Sequence, residues 1–325
     1  MTSAKLITVA SLLIASSVAA QAFEVGSSGW TQKPGITLGG GSAGLPDPGI
    51  YQFDQFLSYS AHRVGPSAPM VGGTPLQIRS ANEGVGLLFV PGWEFLGFKY
   101  DAVFVQPFVS TSVGPPFSSQ NVGVFNSYVV PIELSRSLGD SGFKIKTGLG
   151  IYFPDGDSFG PAGLSGAAYP WWTFQPEFIV SYLKDGWNLT ANIFDELHTR
   201  NSVTQYQSGD VLHAEFTVAK TIDKWTVGGV GYYAGQVTSD KSSAFYNNVI
   251  NTRSYDIWGV GARVGYDFGP VALNVWCLKE VSTHVVGATP ALGSAPNGTT
   301  VFASLSYRLW SFDKPDTPKV PLIRK

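Results

Sequence analysis

The sequence predicts an all-β fold, a transmembrane antiparallel β-barrel of about 12 strands of the outer-membrane type. Three observations carry this. The first is a pair of long alternating runs. Between Val211 and Lys220, Leu212, Ala214, Phe216 and Val218 alternate with His213, Glu215 and Thr217; between Trp225 and Gln236, Trp225, Val227, Gly229, Gly231 and Tyr233 alternate with Thr226, Gly228, Val230 and Tyr232. Period two belongs to a strand, and runs of this length can cross a bilayer at a tilt. The second is the order of connections, short and long in turn, as in barrels with tight periplasmic turns and longer surface loops. The third is the N-terminus, where Lys5, the apolar run Leu6 to Val18 and Ala20-Gln21-Ala22 have the layout of a secretory signal peptide, residues 1–22, cleaved before Phe23. No later apolar run is long enough for a membrane helix, so an exported chain of this kind belongs in the outer membrane of a Gram-negative bacterium.

Composition agrees. Charged residues make up 14% of the chain, against roughly 25% in soluble domains, aromatics another 14%, and there are 38 glycines. The formal charge is −2, or −3 without Lys5 of the leader, which leaves no basic footprint for nucleic acid. The only cysteine, Cys277, cannot form an internal disulfide.

Taken in order, residues 23–50 are rich in Gly, Ser and Pro and cannot form a packed element alone; they are either a loose periplasmic leader or a segment tucked into the barrel as a plug. The barrel is expected over 51–310. Its first strand is Tyr51 to His62, with Tyr51, Phe53, Leu57 and Tyr59 on one face. A polar loop to about Asn82 follows, then Val85 to Val90, Phe98 to Thr111, one long strand from Gln120 to Arg136, and Phe143 to Phe153. After a loop come Trp171 to Leu183, the turn Asp185-Gly186, Trp187 to Leu197, and the central hairpin. Ser254 to Phe268, Val271 to His284 and Thr299 to Trp310 complete the wall, both termini fall on the short-turn side, and 311–325 is a periplasmic tail. Trp93, Tyr169, Trp171, Trp172, Trp187, Trp225, Trp258 and Trp310 lie near strand ends, where aromatic girdles are expected.

Giving each strand's apolar face to lipid leaves an inward set. The path of a solute through the lumen is expected to run past Trp171, Gln175, Glu177, Asn192, His213, Glu215, Tyr232, Gln236, Arg263, Trp276, Glu280 and Arg308. Glu177, Glu215 and Glu280 are expected to brace Arg263 and Arg308, because an unpaired buried charge is costly. Phe56, Tyr152, Phe194 and Phe302 join the inward aromatics, which suits a hydrophobic solute better than a sugar, although such rings also serve as filler. No catalytic, cofactor or metal site is expected: His62, His198, His213 and His284 are not beside a serine nucleophile motif, and there is no His-Glu-x-x-His, Walker A or metal-spaced cluster.

Several stretches together resemble a known family. Pro154-Asp155-Gly156-Asp157, Trp171-Trp172-Thr173-Phe174-Gln175-Pro176, Asp185-Gly186-Trp187, Tyr206-Gln207-Ser208-Gly209-Asp210, Gly231-Tyr232-Tyr233 and Gln236-Val237-Thr238-Ser239-Asp240, with Glu280 and Gly287, are similar to the outer-membrane proteins named for the meta pathway of phenol degradation. The likeness runs roughly from Gly49 to Trp310. It implies a transporter encoded near aromatic-degradation genes and distantly related to the long-chain fatty acid channels, whose Asn-Pro-Ala plug signature this chain lacks. The expected function is passive uptake of small hydrophobic, aromatic compounds across the outer membrane, with the lipid bilayer and the solute as partners. Access is expected between the loops at Tyr206 to Asp210 and Gln236 to Asp240. An outer-membrane esterase or lipid-modifying enzyme and a structural or adhesive barrel are the alternatives.

Overall fold

The computed structural model describes residues 24, 27–65, 68, 75–115, 118–249, 254–286 and 294–312. The leader at 1–22, Gly287 and the tail beyond residue 312 lie outside them. The strands, in chain order, are β1 (Gly49–Val64), β2 (Gln77–Val90), β3 (Glu94–Phe95), β4 (Phe98–Val113), β5 (Ser119–Val124), β6 (Tyr128–Ser137), β7 (Phe143–Tyr152), β8 (Thr173–Lys184), β9 (Trp187–His198), β10 (Val211–Ile222), β11 (Trp225–Gln236), β12 (Ser254–Asp267), β13 (Val271–Val286) and β14 (Ala295–Ser311). Twelve of these form a continuous antiparallel wall, and pairing of β2 with β4 closes it into a barrel. The short β3 belongs to the turn between β2 and β4, and β5 pairs with β4 off the ring.

Short turns join β2 to β4, β6 to β7, β8 to β9, β10 to β11 and β12 to β13; the longer connections all lie at the other rim. Gly49 at the start of β1 pairs with Ser311 at the end of β14, so the wall both begins and ends at the short-turn rim. The central hairpin follows its alternation: Phe216, Val218 and Val227 are exposed on the outer face, while His213, Glu215, Thr217 and Tyr232 are buried inside. Trp93, Trp187, Trp225 and Trp310 are exposed at the short-turn rim, and Trp172 and Trp258 at the other.

Four local expectations change. The stretch Gln120 to Arg136 is two strands, because Phe125, Asn126 and Ser127 turn inward. Asn126 is fully buried and bonds Tyr169 through both main-chain groups, fastening the 153–172 loop to the wall. The second wall strand starts at Gln77 rather than Val85, since its upper part carries polar residues on both faces. In β1 the phase is reversed: Leu57 and Tyr59 face inward and Phe56 is exposed. Tyr169 and Trp171 are not girdle residues but stack on each other inside, with ring centroids 4.5 Å apart and planes 7° apart.

Residues 27–48 are mostly irregular, with one turn of 3-10 helix at Ile36–Gly39, and run through the barrel interior. Their partners fix the direction. Glu24 is held by the loops at the long-loop mouth, Thr31 and Gln32 by Glu196 in the upper part of β9, Leu38 and Gly39 by Arg263 in the lower part of β12, and Pro48 by Arg308 at the short-turn rim. The described N-terminal end therefore sits at the mouth opposite the one expected.

Lipid-facing and lumen-facing positions differ sharply in what they tolerate. Val218→Arg, on the outer face in mid-strand, is expected to destabilise the barrel by about 2–4 kcal/mol, and Thr217→Ala, next to it but inward, by no more than about 1 kcal/mol. Urea unfolding in phospholipid vesicles, followed by tryptophan fluorescence, checks the contrast.

Candidate functional site

The interior is divided by the 27–48 segment, which lies against one side of the wall. An irregular backbone buried away from water must find partners for its N–H and C=O groups. Inward carboxylates take the N–H groups. Glu196 accepts from Thr31 N and Gln32 N, both at 2.7 Å, one on each oxygen. Glu215 accepts from Gly35 N at 2.6 Å and Thr37 N at 3.3 Å, and from the Thr37 hydroxyl. Charge-assisted bonds of this kind are short and strong. The carbonyls go to donors: Arg263 reaches Leu38 O at 3.1 Å and Gly39 O at 2.8 Å, and the Trp276 indole reaches Gly35 O at 2.8 Å. Glu280 pairs with Lys33 of the segment at 3.0 Å and accepts from the Tyr59 and Tyr232 hydroxyls and Gly298 N. The expected bracing of Arg263 and Arg308 by glutamates is not formed, because the segment's backbone supplies partners of both kinds.

Two glycines permit this close approach. Gly35 has φ +88°, and a Cβ there would fall 2.4 Å from Leu278 Cδ1; one at Gly39 would fall 2.2 Å from the Trp276 ring. His213 is fully buried, flat against Phe194 with ring centroids 4.4 Å apart, and its Nε2 lies 3.4 Å from Glu196. His198 Nε2 is 3.3 Å from the same carboxylate.

On the other side of the segment a cavity of about 640 Å³ remains. Its outer wall is mostly apolar, with Leu57, Ile78, Val103, Val105, Val109 and Phe125 from β1, β2, β4 and the turn after β5, and it also carries Gln55, Arg63, Ser80, Asn82 and Thr111. Gln175, Glu177 and Asn192 line it from β8 and β9, and Glu133 and Lys146 from β6 and β7. Of the residues expected along a solute path, these three of β8 and β9 line the cavity. His213, Glu215, Tyr232, Arg263, Trp276 and Glu280 face inward but lie against the segment or the side chains that hold it. Trp171 is buried near the long-loop mouth, Gln236 bonds Asp240 and Thr238 O at the top of β11, and Arg308 bonds Pro48 O at the opposite rim. The inward face of β4 escaped the sequence reading because both faces of that strand are apolar: Val103 and Val105 point in while Phe104 and Phe108 are exposed outside.

The loops near Tyr206 to Asp210 and Gln236 to Asp240 form a knot rather than an opening. Asp240 accepts from the Tyr206 hydroxyl, from Gly209 N at 2.7 Å and from Gln236 at 2.7 Å. Beneath it the Glu24 carboxylate accepts from Asn201 at 2.8 Å, Thr204 at 2.7 Å and Tyr246 at 2.8 Å. Against the expected lack of any Gly-x-Ser-x-Gly hydrolase pattern, Gly40-Gly41-Ser42-Ala43-Gly44 and Gly156-Asp157-Ser158-Phe159-Gly160 both spell it, but Ser158 lies in the 153–172 loop and donates to Gly163 O at 2.8 Å. Ser42 is not on a strand-to-helix elbow; it accepts from Gly44 N at 3.3 Å, and none of the described histidines bonds it.

A family model described as the putative MetA-pathway of phenol degradation matches residues 61–286. Among solved structures, an outer membrane channel from Pseudomonas putida F1 is 10% identical, with a TM-score of 0.69 over 82% of this chain and 98% of that one. This likeness shows a shared fold. The β-domain of the Bordetella autotransporter BrkA (13% identity, TM-score 0.46, 80% and 99% of the two chains) and a deletion mutant of the TodX monoaromatic hydrocarbon channel (10% identity, TM-score 0.44, 89% and 95%) are too dissimilar to carry an argument. No curated protein matches the sequence.

Two outcomes follow from the mouth. Burial pushes the Asp240 carboxyl up to about 7, against the hydrogen bonds it accepts. Because this lies above the unfolded value near 3.9, the folded loop binds the extra proton between the two values. The stabilisation is present below about 4 and is lost as pH rises through about 7. Limited proteolysis of the 237–249 loop should be faster at pH 8 than at pH 5, and Asp240→Asn should flatten the dependence. A small epitope placed ahead of Glu24 should bind antibody on intact cells, whereas one following Ser311 should need permeabilised cells.

Proposed function

Since the chain belongs to the family described as the putative MetA-pathway of phenol degradation, we propose that it is an outer-membrane channel for passive uptake of small hydrophobic, aromatic compounds. It is exported by a leader cleaved before Phe23. The observation that carries this reading is the cavity of about 640 Å³ between the segment and the mostly apolar β1–β4 wall. Small-molecule sites are typically of this size and largely apolar, and an apolar space of about 150 Å³ already holds benzene. Polar groups are interspersed on both sides, Gln175 and Asn192 on one and Gln55, Ser80, Asn82 and Thr111 on the other. A sugar would meet more apolar than polar surface there, and each hydroxyl left unpaired is costly.

In this reading residues 24–48 act as a partial plug that narrows the lumen to the cavity side, and solute slips past it rather than through covalent chemistry. The bilayer holds the barrel, and the lipopolysaccharide leaflet is the barrier that the channel relieves.

The test is uptake by intact cells of a channel-deficient Gram-negative strain. Production of this protein should raise the initial uptake of labelled phenol and leave that of a disaccharide unchanged. Equal acceleration of both would overturn the reading in favour of a general pore. Deleting 24–45 should let the disaccharide through and raise single-channel conductance several-fold; unchanged conductance of a folded deletion variant would sink the plug.

A further inference from the structure

The outward face of β1 is polar along most of its length. Gln52, Asp54, Ser58, Ser60 and His62 alternate with the inward Phe53, Gln55, Leu57, Tyr59 and Ala61, and Phe56 is the one large apolar side chain among them. Asp54 pairs with the outward Leu305 of β14 and Val85 of β2, and Gln52 Nε2 donates to its two oxygens at 3.2 and 3.4 Å. Ile50, opposite the girdle residue Trp310, is four residues below, which puts the carboxyl group about 10 Å up an apolar band roughly 25 Å tall. Elsewhere the outer surface carries Ile193, Val218, Val227 and Val264.

Two opposite charges flank this polar strip. Glu83 of β2 and Lys279 of β13 are both exposed on the outer face, Lys279 Nζ reaches Asn297 Oδ1 and Gly298 O at 3.3 Å each, and neither forms an ion pair among the described residues. They lie at the same depth. Glu83 pairs with Phe56, Phe56 with Ala303 and Ala303 with Val275, so its row meets β13 four residues below Lys279. Rows descend in this direction: the row of Gln52 begins at Val271, the foot of β13, and reaches Leu197 near the top of β9. With strands tilted by about 40° and spaced by about 4.8 Å, crossing three strands lowers a row by about 9 Å, and four residues along β13 recover about 10 Å.

We propose that the outer face of β13, β14, β1 and β2 is the interface of a homodimer, with Lys279 of each copy paired to Glu83 of the other. Two copies inserted in one membrane share its normal, so a two-fold axis along that normal brings together residues of equal depth. With the axis between β14 and β1, each β13 meets the partner's β2, and Lys279 faces Glu83 of the partner subunit twice over. Lipid chains offer neither a counter-charge nor a hydrogen bond, and charges left alone on this face are costly. The opposite charges at one depth, on either side of the axis, are what a second copy of the same surface satisfies. Gln52 and Asp54 lie beside the axis, where each copy's amide can donate its second N–H to the other's carboxyl group, as polar side chains do between membrane segments. The small Ala81, Ala303, Ser58 and Thr299 around them let the two walls approach.

The same rotation sets the exposed Cys277, the only cysteine of the chain, against Val85 of the partner subunit: Val85 pairs with Asp54, Asp54 with Leu305, and Leu305 with Leu273, four residues below Cys277. The full mature chain, produced in the outer membrane of a Gram-negative host, is treated in isolated membranes with a short bismaleimide that spans the roughly 10 Å between packed sheet faces. Val85→Cys should give a covalent dimer through Cys277, and adding Cys277→Ser should remove it. Val218→Cys, across the barrel on β10, should leave the chain monomeric. In the Val85→Cys protein, Glu83→Lys should lose most of the cross-link and the further change Lys279→Glu should restore it, a rescue that a local role of either residue does not give. Unheated gels, on which a closed barrel migrates ahead of its heated form, show that each variant is folded. A folded Val85→Cys protein that stays monomeric, or equal cross-linking from Val218→Cys, would overturn the dimer. A cross-link that survives Glu83→Lys undiminished would overturn the ion pair across it.

Discussion

The interior of this barrel depends on one requirement: an irregular peptide segment in a dry lumen must have every buried backbone group paired. No ladder is available to it, so the wall supplies side chains matched to the polarity of each group. Glu196 and Glu215 take N–H groups, and Arg263 and the Trp276 indole take carbonyls. Charges that would be costly alone become bearable because the segment satisfies them. The requirement also explains the segment's composition, since the chain reaches the Leu278 and Trp276 side chains only where Gly35 and Gly39 offer no Cβ.

The distribution of inward residues follows. Strands β8 to β13 carry the ionic and amide groups, and the segment lies against them. Strands β1, β2 and β4 carry Leu57, Ile78, Val103 and Val105 inward, with Gln55 alone among their inward side chains reaching the segment's backbone, at Ile36 O, and there the lumen stays open. One side of the barrel is a clamp and the other an apolar wall. The knot of Asp240, Tyr206 and Glu24 completes the clamp at the long-loop mouth, so the space for solute is displaced toward the 153–172 loop, of which Leu164 and Tyr169 line the cavity.

This asymmetry decides what the sequence could reveal. On the clamp side the inward face is polar and the outward face apolar, and the phase of β10 can be read directly from His213, Glu215 and Thr217. On the open side the cue fails: in β4 both faces are apolar, and in β1 the rule that the greasier face meets lipid gives the wrong phase, since Leu57 and Tyr59 line the interior. Loop lengths were legible because tight turns have their own chemistry, as Asp185-Gly186 shows with φ of 53° and 74°. The partners of the inward glutamates were not legible, because pairing them with arginines presumes that side chains answer side chains. Here main-chain groups answered. Trp171 and Tyr169 misled for a related reason: proximity to a strand end says nothing about which face a ring takes.

The same pairing bears on how a solute could pass. Withdrawing the segment would take Lys33 from Glu280, two N–H donors from Glu196 and every hydrogen-bond donor from Glu215, and a buried carboxylate left uncompensated costs about 3–5 kcal/mol unless water replaces what was lost. Expulsion is therefore tied to flooding of the lumen, which would turn a selective passage into an aqueous pore. A solute that moves between a seated segment and the β1–β4 wall disturbs none of these bonds and meets only dispersion contacts and a few polar groups. In the proposed channel the second route is the cheaper one for a hydrophobic molecule, and it would keep the barrier to sugars and ions intact.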